Sequence, residues 1–114
     1  MNTEDTVQQI ELNIKESRKV ADLGDALARL KTNRDFKKVI LEGFFEQEAI
    51  RLVHLKADTN MQSAESQKAI LTQLDAVGAL AQYFRTLEFR ASLANKSIQF
   101  DEQTRDELLL EGGE

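Results

Sequence analysis

Across residues 32–99 the chain has no proline, no cysteine and only two glycines, Gly43 and Gly78, while apolar side chains recur every three or four positions. Proline and glycine are the residues that interrupt helices, and that spacing gathers side chains on one helical face. The stretch therefore reads as two consecutive amphipathic helices. Nearly every residue in it is committed to packing or to solvation, which leaves few positions free for chemistry.

Thr32 and Asn33 are good N-caps for the first of these helices, and behind them Phe36, Val39, Ile40, Phe44, Leu52, Val53 and Leu55 trace a wide apolar stripe down to Ala57. Asp58, Thr59 and Asn60 form a polar break. Helix resumes near Ser63, with Ile70, Leu74, Val77, Leu80, Phe84, Leu87, Ala91, Ala94 and Ile98 keeping the same spacing. A connection this short favours an antiparallel pair, so residues 34–57 and 63–98 are expected to form a helical hairpin of unequal arms. Gly43 and Gly78 are unfavourable inside helices, and each is expected to mark a close approach between them.

The N-terminal segment places Val7, Ile10 and Ile14, then Val20, Leu23, Leu27 and Leu30, at helical spacing, with Thr3 as its cap and Glu4 and Asp5 at the positive end of the helix dipole. Gly24 leaves two alternatives, a kink between Ala21 and Asp25 or a helix that runs through. At the other end a third, short helix is expected over residues 101–110, after a break near Gln99 and before the stop provided by Gly112 and Gly113. The predicted fold is all-α: a long antiparallel helical hairpin with an N-terminal helix and a short C-terminal helix. Its segments are 1–31, an N-terminal arm; 32–99, the hairpin core; and 100–114, an acidic C-terminal helix and tail.

One hairpin cannot cover both of its apolar faces. Phe44 and Phe45 are adjacent, so on an α-helix they point about 100° apart, and with Leu41 they widen the stripe beyond what one partner helix buries. Either the N-terminal segment folds back to complete a three-helix bundle, or a second copy or another protein covers the remainder. The residues expected at such an interface are Phe36, Phe44, Phe45 and Phe84. To these are added Leu108, Leu109 and Leu110 of the acidic tail and the basic Lys37 and Lys38, which complement it in charge.

The chemistry-bearing residues are sparse. His54 is the only histidine, which removes multi-histidine metal sites within one chain and leaves His-dependent catalysis without an evident partner. The pairs Glu42/Glu46 and Glu107/Glu111 share a helix face but lack the Glu-x-x-His partners of a di-iron bundle, so they read as solvated acid. No catalytic residue, cofactor or metal site is expected, and the chain reads as a non-enzyme. A net charge of -5 makes nucleic acid a poor partner, although Arg29, Lys31, Arg34, Lys37 and Lys38 form a local basic run around Asp35. With no cysteine the chain fits a reducing cytoplasm. The opening MNTEDTVQQI has neither the basic start nor the apolar run of a secretory signal, and no membrane span is expected.

Residues 33–61, NRDFKKVILEGFFEQEAIRLVHLKADTNM, followed by a helix containing VGALAQYF and an ending in TRDELLLE, resemble small proteins encoded in the structural gene modules of tailed bacteriophages. The positions carrying the resemblance include Asp35, Phe36, Gly43, Glu48, Arg51 and Gly78, and the N-terminal segment lies outside it. It implies a non-enzymatic virion structural or assembly protein that acts by helix packing with itself, as a homo-oligomer, or with capsid, portal, tail or scaffold subunits. Such a protein is assembled in the bacterial host cytoplasm and located in the virion. The alternative is a small phage-encoded regulatory or chaperone-like binding protein absent from the mature particle.

Overall fold

The structure, a computed structural model, describes residues 2–112. Every element among them is helical: α1 (Thr3–Thr32), α2 (Arg34–Phe36), a π-helix (Lys37–Glu48), α3 (Ala49–Ala57), a single 3-10 turn (Thr59–Met61) and α4 (Ala64–Gly112). The all-α class and the hairpin stand, with no strand among the described residues.

Local chemistry sets the ends. The Asn33 side chain accepts from the Phe36 N–H at 2.9 Å, and Ser63 Oγ accepts from the Ser66 N–H at 3.0 Å, each satisfying an amide with no partner inside its helix. At the N-terminus the cap is Asn2, whose Oδ1 accepts from the Asp5 N–H at 2.8 Å, and Thr3 is already inside α1. Thr32 ends α1, its hydroxyl donating to the Arg29 carbonyl. The final turn of α3 is closed by glutamines: Gln62 Nε2 donates to the Lys56 and Asp58 carbonyls at 2.9 and 2.7 Å, and Gln67 Nε2 to those of Lys56 and Met61. Asp58 completes the turn by accepting from the Asn60 N–H, the Asx geometry that reverses a chain cheaply.

The chain divides into two compact units. The first, Ala28–Thr86, is the hairpin: the rod of α2, π-helix and α3 returns through the 3-10 turn against the start of α4. Leu52 is fully buried with Ile70 and Val77, and Phe44, Phe45, Ala49, Leu55, Met61 and Leu74 pack around them. The expected stripe is corrected in one respect. Residues 37–48 bond from i to i+5, with one more residue in each ring than an α-helix has, so the wider turn changes which side chains share a face. Phe36, Ile40, Phe44 and Phe45 are half-buried, whereas Val39 is exposed. Val53 is exposed as well, because its neighbour Leu52 takes the inward position.

The second unit pairs α1 up to Leu27 with α4 from Leu87 onward. The pair is antiparallel, since Thr3 lies against Gly112 at one end and Gly24 against Ala91 at the other. Its seam contains Ile14, Ala21, Ala94 and Ile98, with Ile10 and Val20 packed beside them. Two expectations change here. The helix runs through Gly24 without a break, and α4 runs through Gln99. Residues 101–110 are helical as expected, but they continue α4 because the seam only turns polar, at Asp101 and Arg105, while Thr104 and the pair Gln103–Glu107 bond within the helix. The helix ends at Gly112; Gly113 lies outside the described residues.

The close approach also moves. A Cβ on Gly24 would overlap that of Ala91 on the facing helix. A Cβ added at Gly78 would meet no atom of another helix within 4 Å, and one at Gly43 would meet the Lys38 carbonyl of its own helix, so neither marks a meeting of helices. Opposite effects are expected at the two sites. Gly78→Ala should raise the melting temperature, gaining up to about 1 kcal/mol of helix propensity. Gly24→Ala makes the same gain but pushes the helices apart, an overpacking cost of about 1–3 kcal/mol, and should melt lower. Ala91→Gly in the Gly24→Ala background should recover part of the loss. A Gly24→Ala variant more stable than the parent would disprove the contact.

Candidate functional site

The four phenylalanines expected at an interface come together within the hairpin unit. The Phe84 ring centroid is 6.0 Å from that of Phe36 and 5.7 Å from that of Phe45, the latter edge to face, and the Phe44 ring lies tilted 6.0 Å from that of Phe45. Tyr83 flanks Phe84 at 6.0 Å. These are favourable aromatic geometries. Phe44 and Phe45 also pack on the Leu52 cluster, so the group serves the hairpin's own seam while each phenylalanine remains half-buried.

Lys37 and Lys38 are exposed and line a shallow groove with Thr32, Arg34 and Glu42. Of the three leucines near the C-terminus, Leu108 and Leu109 line a separate groove with Thr3, Glu4 and Val7 of α1, where Leu108 is half-buried, and Leu110 is 76% exposed. Leu108 is thus a packing residue of the α1–α4 pair, a role hidden from sequence reading because its partners lie at the other end of the chain.

Charge is arranged locally. Arg51 forms a bidentate pair with Glu48, three residues earlier, with Nε to Oε2 at 3.0 Å. This hydrogen bonding holds the Glu48 carboxyl below its ordinary 4.5 and raises Arg51 in return. His54 is exposed on α3. Among the described residues no group of three or more His, Cys, Asp or Glu could hold a metal ion, and no buried side-chain nitrogen or oxygen lacks a partner. No helix among them is long and apolar enough to cross a membrane.

Further large apolar side chains are exposed: Leu23, which its spacing placed on the packing face of the N-terminal helix, and Leu12, Phe89, Leu93 and Phe100, which the sequence reading missed. Leu12 and Leu23 on α1, with Phe89, Leu93 and Phe100 on α4, are each about half exposed or more. Between them runs a shallow groove bordered by Glu16, Val20, Arg90 and Leu93. The signal was present: 12, 16, 20, 23 and 89, 93, 97, 100 share one spacing, out of phase with the seam. Comparisons with protein-family models, with curated proteins and with solved structures find no match.

Removing the central ring should separate packing from surface. Phe84→Ala is expected to cost about 2 kcal/mol, below the loss for a fully buried phenylalanine, whereas Lys37→Glu with Lys38→Glu should stay within about 0.5 kcal/mol. Thermal melts check both. The Glu48 pair has a definite pH signature. A carboxyl depressed in the folded state adds stability above its unfolded value of 4.5 and loses it as pH falls through the lower folded value. Carboxyl titration by NMR should therefore find Glu48 below 4.5, and Arg51→Ala should return it there.

Proposed function

We propose that this protein is a non-enzymatic structural or assembly component of a tailed-phage particle, acting by helix packing with itself or with larger virion proteins. The observation that carries the packing role is that more large hydrophobic side chains are exposed than buried among the described residues. Scattered exposed leucines are ordinary, but here Leu12 and Leu23 on α1, and Phe89, Leu93 and Phe100 on α4, follow helical spacing beside a groove. A helix that keeps such a stripe in water offers it to another helix.

The assignment to a phage particle rests on the resemblance of residues 33–61 and the two later stretches to proteins of structural gene modules. Capsid, portal, tail or scaffold subunits are the partners that follow from it.

Protein analysis of purified particles tests the proposal. A stoichiometric component of 12.9 kDa that survives purification is expected. Its presence in infected cells but absence from finished particles would sink the structural reading in favour of a chaperone-like binding protein.

A further inference from the structure

Phe84 has two phenylalanines of the facing rod beside it, Phe36 at 6.0 Å and Phe45 at 5.7 Å between ring centroids. An α-helix advances about 100° per residue, so the nine residues between them would set those two rings on opposite sides of the rod. The i to i+5 bonding of residues 37–48 is what brings both to one ring.

The same bonding decides what the start of the rod shows to water. Arg34 stands eighteen residues before Leu52, which is five whole α-helical turns, and Phe36 stands sixteen before it, about 160° away. A rod that was α-helical throughout would therefore turn Arg34 to the side of the fully buried Leu52, with Lys37 and Lys38 within about 60° of it, and would turn Phe36 away. The structure has the reverse. Phe36 is half-buried beside Phe84, while Arg34, Lys37 and Lys38 are exposed. Side chains thus hold a pattern that the backbone by itself rarely adopts, since i to i+5 bonding occurs mostly as single turns and here runs for 12 residues.

Gly43 lies in the middle of this segment. A Cβ there would stand 3.0 Å from the carbonyl oxygen of Lys38, five residues earlier, so the present winding leaves a side chain little room. Alanine at this position would add that contact and favour the α-helix at the same time.

We propose that residues 37–48 are a register switch, latched in the i to i+5 form by the Phe84 ring. When the latch is withdrawn the segment rewinds to i to i+4 bonding, and the start of the rod turns by close to half a revolution. Phe36 leaves the seam for water and Arg34 comes round to the Leu52 side. Phe45 keeps its place, because it stands seven residues before Leu52 and seven residues are close to two turns. The basic group displayed by the present form is thereby exchanged for an aromatic one. A ligand moves such an equilibrium only by binding one form better, and the two forms offer it unlike surfaces. The inference goes beyond the packing role proposed above and does not depend on it.

NMR on the full chain tests it, reading couplings across backbone hydrogen bonds together with ring-to-ring cross-peaks. The parent protein should show amides of the 37–48 segment coupled to carbonyls five residues earlier. Phe84→Ala should move those couplings to carbonyls four residues earlier with helix content kept. Gly43→Ala retains the Phe84 ring and should lose the Phe36–Phe84 cross-peaks while keeping those of Phe45 with Phe84; it decides the matter if Phe84→Ala fails to fold. Gly78→Ala, on the facing helix with no neighbour at its added Cβ, should leave the segment unchanged. A parent bonded at a spacing of four overturns the inference, as does a folded Phe84→Ala variant still bonded at five. A variant whose 37–48 segment loses helical bonding altogether has melted and not rewound, which overturns it as well.

Discussion

Each unit of this protein depends on a single seam of side chains between two helices. With only two helices in contact, each can bury one stripe, and the rest of its circumference stays in water. The buried set is accordingly narrow: Leu52, Ile70 and Val77 in the hairpin, and Ile14, Ala21, Ala94 and Ile98 in the α1–α4 pair. The two seams use different means. The hairpin fills its seam with phenylalanine, Phe84 beside Phe36 and Phe45, while the other pair sets Gly24 against Ala91. Large rings and absent side chains are two ways to keep facing helices in contact along their length.

Charge contributes little to holding either seam. The ion pairs Lys19–Glu16 and Arg51–Glu48 lie within one turn, and Arg18–Glu102, at 3.3 Å, joins α1 to α4 through exposed side chains. Exposed pairs of this kind contribute little, because water screens them and ordering two long side chains opposes them.

Much of the fold was legible because helix signals are local. The polar break at Asp58, the cap at Asn33 and the restart at Ser63 lie where hydrogen bonds to neighbouring amides require them. The misreadings have a common cause. A break near Gln99 was expected because apolar spacing fades there, yet helices end where backbone bonding stops, and Asp101 and Arg105 carry the helix onward as polar seam residues. Val39 was placed on the stripe by α-helical spacing, and the i to i+5 bonding of residues 37–48 turns it outward. Of the candidate interface, the phenylalanines and Leu108 proved to have partners inside their own units, whereas Leu12, Leu93 and Phe100 were passed over because they lie out of phase with the seam.

The sequence by itself determined that this chain is helical, where its helices turn and that it has more apolar surface than one hairpin can bury. Those properties follow from propensity, capping and periodicity, which act over a few residues. Only the tertiary structure decided which apolar side chains are buried and which stay exposed. Gly24 shows why. In sequence it is a weak point of a helix, and its role appears only when Ala91, far along the chain, is brought against it. The choice of seam depends on such long-range fits between surfaces, and no local pattern records them.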